Sequence, residues 1–142
     1  MIKQETIELA AKWWKNKIKH NVTNMLNSIE AKKDESITSA VGYYVFIKDV
    51  LDKLDAFEES FINVMKEYKG DRCALYFSHK GPSPIFSDVL KRAEIYALYI
   101  PNITTVIIND EFLLIRFPCV SYSSIVKITS EDQLINDGED WA

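Results

Sequence analysis

The chain has 142 residues, 47% of them hydrophobic and 27% charged, with 21 acidic against 17 basic side chains and a formal charge of −4. Seven Tyr, seven Phe and three Trp supply the bulk of one core, so the composition bounds a single domain, 1–142, and excludes a disordered chain. The acidic balance argues against a protein that grips nucleic acid through phosphates, and no apolar run approaches the ~18–20 residues of a membrane span.

The opening text, "MIKQETIELAAKWWKNK", is amphipathic and carries acids, without the basic start, apolar run and small-residue cleavage site of a secretory signal. Two cysteines, Cys73 and Cys119, both lie in apolar strand-like text. Together these features predict a cytoplasmic protein whose thiols are reduced and buried. Ile7, Ala11, Trp14, Ile18, Val22, Met25 and Ile29 recur at intervals of three and four, which predicts a first helix with Lys12, Lys15 and Lys19 on its polar side. Trp13 falls at the flank of that stripe, which predicts a partly exposed indole. After "AKKDES" a second helical pattern opens, with Asp34 or Ser36 as its cap, and runs through Ile37, Ala40, Tyr44, Ile47, Leu51 and Leu54. "DAFE", residues 55–58, has the spacing of a capping box. It predicts a break near Asp55 and a third helix, stopped by Lys69 and Gly70.

The second half changes character. "CALYFS" reads as a buried strand, and a helix follows from Pro84 to about Ile95, with Ser83 as its N-cap. "ITTVIIND" and "EFLLIRF" predict two strands joined through Asn109, Asp110 and Glu111, the second ended by Pro118. "SSIVKI" predicts one more strand. The expected fold is α+β: N-terminal helices packed on a small, mostly antiparallel C-terminal sheet with one inserted helix.

The segment "SHKGPS" carries the chemical interest. A helix N-terminus exposes backbone N–H groups that attract anions, and Ser78, His79, Lys80, Gly81 and Ser83 crowd the approach to one. Helix architecture alone also accounts for Ser83, Pro84, Asp88, Lys91 and Arg92, each of which suits a cap or the helix dipole. The order is not that of a P-loop. His20 and His79 lie in different segments and the cysteines form no close pair, so no metal site and no cofactor is predicted. No Gly-x-Ser-x-Gly elbow is present, the pair Glu58 and Glu59 reads as solvated helix surface, and no catalytic residue is assigned; a non-enzyme is expected. Tyr43, Tyr96, Tyr99 and Tyr122 exceed what a small core needs, and Tyr122 is taken as a further ligand-binding candidate. Glu131, Asp132, Asp137, Glu139 and Asp140 read as a solvated acidic end.

"LAAKWWKNKI", "GPSPIFSDVLKRAEI" and "IPNITTVIINDEFLLI" resemble, in kind and order, a family of small proteins encoded by phages and prophages of gut bacteria. That family's pattern is an AxxWWxxKL-type helix, a glycine-proline-led helix and a short sheet. Where it has an acidic, glycine-containing loop and a glycine-rich run, this chain has "NSIEAKKDES" and "FPCVSYSS", so no ligand role is carried over to those loops. The resemblance implies a counter-defence protein of the bacterial host cytoplasm. It would sequester an anionic small molecule, a nucleotide-derived immune signal such as a cyclic dinucleotide or an ADP-ribose derivative, without cutting it, as a homo-oligomer if the site spans an interface. The alternatives are an anti-CRISPR-type inhibitor that covers a host defence protein, and a phage accessory or structural protein that only packs against partners.

Overall fold

A computed structural model describes residues 1–31, 37–78, 80–95, 104–118 and 123–135. The first stripe folds as α1, Gln4–Ala31, with Ile7, Ala11, Trp14, Ile18 and Val22 buried. Trp13 departs from expectation: it is 0% exposed and meets Trp14 edge-on, centroids 5.0 Å apart at 84°. Neighbouring helix positions differ by about 100°, so one narrow stripe cannot bury both indoles. The buried face of α1 is wider because two helices pack on it, α2, Ile37–Asp52, and α3, Leu54–Glu67.

The break between α2 and α3 falls at Lys53, two residues before the expected place. Lys53 is the N-cap of α3 and makes no side-chain capping bond. The capping box read at 55–58 gives way to ion pairs: the Lys15 ammonium lies 2.7 Å from Asp55 and 3.3 Å from Glu58. A cation on α1 outcompetes the helix's own amides for those carboxylates. Asp34 and Ser36 lie outside the described residues.

The remaining elements are β1 (Cys73–Ser78), β2 (Gly81–Pro82), α4 (Pro84–Arg92), β3 (Thr104–Ile108), β4 (Leu113–Pro118), β5 (Ser123–Ile128) and α5 (Asp132–Ile135). The strands form one sheet in the order β2-β1-β3-β4-β5, every pairing antiparallel. Asn109 builds the β3–β4 turn, its Oδ1 accepting the N–H groups of Glu111 at 2.9 Å and Phe112 at 3.0 Å. Helix α4 stops at Arg92, short of Ile95, because Glu94 turns to φ +59 and the Ile95 N–H closes back on the Leu90 carbonyl at 2.9 Å.

The chain is an α+β domain. Leu75, Phe77, Val106, Ile108, Leu113, Ile115 and Ile128 fill the inner face of the sheet, where α1 lies against β3 and α4 against β1 and β2. Phe86 of α4 sits where the layers meet, its ring centroid 4.6 Å from that of Trp14 on α1, 5.9 Å from Phe57 on α3 and 6.2 Å from Phe77 on β1. That aromatic junction fixes the start of α4, and with it the turn that precedes the helix.

Candidate functional site

Ser78 pairs with Gly81 and Phe77 with Pro82, so β1 and β2 close as a short antiparallel hairpin with Lys80 in the turn. Gly81 takes φ +104 with nothing within 4 Å of where a Cβ would stand. Its glycine is demanded by backbone conformation and not by crowding. Lys80 is exposed in the loop.

Ser83 takes the expected place, extended at the N-cap position with Pro84 at the first helical position, yet its hydroxyl does not cap the helix. The residue is 2% exposed and continues the ladder opposite Tyr76. Its N–H donates to the Tyr76 carbonyl at 2.9 Å, and its Oγ accepts the Tyr76 N–H at 3.3 Å. Pro82 has no N–H to give and β2 is only two residues long, so Ser83 supplies one more rung of pairing, using its side chain in place of a second backbone group. The entrance to α4 is thereby fastened to the middle of β1.

Of the site residues named from the sequence, Ser78, Lys80, Gly81 and Ser83 are gathered in this one turn. His79 and Tyr122 lie outside the described residues, as do Tyr96, Tyr99, Cys119, Asp137, Glu139 and Asp140. The residue missed in the sequence is Tyr76, 41% exposed on the sheet face turned away from the helices. Register places Tyr76, Thr105, Arg116 and Ile125 in one row across β1, β3, β4 and β5, and Ala74, Ile107, Leu114 and Lys127 in the next. Tyr76, Arg116, Ile125 and Lys127 are exposed on this face. None of the residues in the two rows is acidic. The Lys127 ammonium stands 4.3 Å from the centroid of the Phe112 ring, a cation–π contact that holds it over the sheet.

Carboxylates collect on the other side of the molecule. An open groove of about 450 Å³ between α1 and α3 is lined by Glu8, Asp55, Glu58 and Glu59, with Ile62 and Lys66 beside them. Lys15 neutralises two of those acids. In the core, Lys17 of α1 is 0% exposed, between Trp14 and Asn21 at helical spacing, and desolvation lowers its pKa to about 8. The Nε1 of Trp14 and the Nδ2 of Asn21 are buried donors without a hydrogen-bond partner among the described residues. Burial also pushes the Cys73 thiol up to about 11, which keeps it protonated and unreactive. Among the described residues no group of three or more His, Cys, Asp or Glu is placed to hold a metal ion, and no helix is long and apolar enough to cross a membrane.

Set against known protein families, curated proteins and solved structures, the chain has no significant match in any of the three.

Proposed function

We propose that this chain binds and holds an anionic, nucleotide-derived small molecule at the β1–β2 turn without cleaving it. The observation that carries this reading is the pair of bonds between Ser83 and Tyr76, which fastens the turn carrying Lys80 to the strand that carries an exposed phenol ring. A phosphate calls for a cation and N–H donors, and a base calls for an aromatic face; the two needs meet at one end of one strand. The hydroxyl of Ser83 is buried and engaged with a backbone amide, so it is not offered to the ligand as a nucleophile. The resemblance to small phage-encoded proteins suggests the setting, antagonism of a nucleotide immune signal in a bacterial cytoplasm.

The competing reading, an inhibitor that imitates nucleic acid toward a host effector, would use the acidic groove between α1 and α3. Lys15 and Lys66 interrupt its negative surface, which weakens it as a mimic of a continuous phosphate backbone.

Thermal unfolding in the presence of cyclic dinucleotides and ADP-ribose derivatives tests the proposal. A ligand of this site, at a hundred times its dissociation constant, adds ~2.7 kcal/mol to stability, and is recovered intact when the protein is denatured. Indifference to every compound in the set, or recovery of hydrolysed products, would contradict the reading.

A further inference from the structure

We infer that the open face of the sheet forms the base and diphosphate subsites of the ligand: an aromatic base lies on Tyr76, and its diphosphate lies over Arg116 and Lys127. The inference rests on the binding reading above and specifies the ligand of that same site as a nucleoside diphosphate or its derivative.

Three observations carry it. The first is the row itself. Tyr76 and Arg116 share a row with only Thr105 of β3 between them, two strand spacings apart, about 9–10 Å. An extended nucleotide has a matching span from its ring to its second phosphate. The second is charge. Arg116 and Lys127 are diagonal neighbours on β4 and β5, because Arg116 faces Ile125 and Leu114 faces Lys127. No ion pair from either to a carboxylate occurs among the described residues. On the helical side, by contrast, Lys12, Lys15, Lys53 and Arg92 all meet carboxylates. In a chain with 21 acidic and 17 basic side chains, a surface whose described residues include two cations and no acid is complementary to an anion. The third is the floor between the two ends. Thr105, Ile107 and Leu114 are half-buried, and with Tyr76 they offer a mostly apolar bed for a base and sugar. The Lys127 side chain is already held over Phe112, so less rotamer freedom remains to be lost when a phosphate arrives.

The same observations favour a small ligand over a single-stranded nucleic acid. A strand is held by many phosphate contacts and the counterions they release. Here the face offers two cations, or three with Lys80 at the β1–β2 turn, on a protein whose net charge is −4.

Titration calorimetry with adenosine 5′-diphosphate, adenosine, inorganic pyrophosphate and a single-stranded oligonucleotide tests this. The diphosphate is expected to bind more tightly than either of its halves. Tyr76→Leu and Arg116→Gln should each weaken it about tenfold or more, equivalent to ~1.4 kcal/mol, while Tyr76→Phe keeps the stacking and most of the affinity. Loss of Arg116 or Lys127 should also flatten the salt dependence. The three side chains varied, Tyr76, Arg116 and Lys127, are exposed, so circular dichroism and the unfolding midpoint should stay at wild-type values. Binding of a cyclic dinucleotide or ADP-ribose derivative that is weakened in Tyr76→Leu but unchanged in Arg116→Gln and Lys127→Gln would overturn this inference and leave the turn, with Tyr76, as the site. Absence of binding by every nucleotide would overturn both it and the proposed function. Tighter binding of the oligonucleotide would replace the small ligand with a strand.

Discussion

Lys17 shows how a single position can evade a pattern. Lysine usually reads as solvated, and its neighbours Lys12, Lys15 and Lys19 do lie toward the polar side of α1. Yet Lys17 follows Trp14 by three residues and precedes Asn21 by four, which puts it on the buried stripe. Spacing alone carried that signal; residue type hid it. The consequence is a specific pH dependence. The Lys17 pKa falls from 10.5 unfolded to about 8 folded, so between those values the unfolded chain binds more protons. Stability gains from this group as pH rises through that window, by up to about 3 kcal/mol. Cys73 works in the opposite sense: its pKa rises from 9.0 to about 11, so the folded chain holds the extra proton and stability falls across that range. Lys17→Met isolates the first effect. Denaturant unfolding as pH rises above 8 should show the variant lacking the wild type's gain; equal pH slopes would mean that Lys17 ionises as it does in water.

Among the elements, those with a strong period were legible and those decided by partners were not. β-branched runs gave β3 and β4, and the Asn109 turn between them needed only local chemistry. The interruption between α2 and α3 was legible near Asp55 and falls two residues earlier, at Lys53, while Asp55 and Glu58 pair with Lys15 on a distant helix. The end of α4 was misplaced for a similar reason. Glu94 occupies left-handed backbone, its carbonyl accepting from the Lys53 ammonium at 2.8 Å, and nothing in "KRAEI" signals that conformation. A glycine adopts φ +59 without strain, so Glu94→Gly should stabilise the fold by about 1 kcal/mol in denaturant unfolding. A destabilised variant would show that the Glu94 side chain contributes more than its backbone costs. The outer sheet face was hidden in a different way. Ile107, Leu114 and Ile125 are apolar at outward positions, so composition does not tell the two faces apart and the register does.

At the scale of the whole molecule, the described residues separate their charges. Acids crowd the groove between α1 and α3, while the outward rows of the sheet carry Arg116 and Lys127 with no acid among them. The turn named from the sequence lies at the end of β1, on the strand that carries Tyr76, so the cationic loop and the aromatic ring belong to one surface. The core holds that surface in place through Phe86, which joins α1, α3 and β1 ahead of it. Mapping amide chemical shifts while adenosine 5′-diphosphate is titrated into the labelled protein tests this account most directly. It predicts shifts confined to Tyr76, Lys80 to Ser83, Thr105, Arg116 and Lys127, with α1 and α3 unmoved. Shifts clustered instead at Glu8, Asp55 and Glu59, or no saturable shift anywhere, would contradict it.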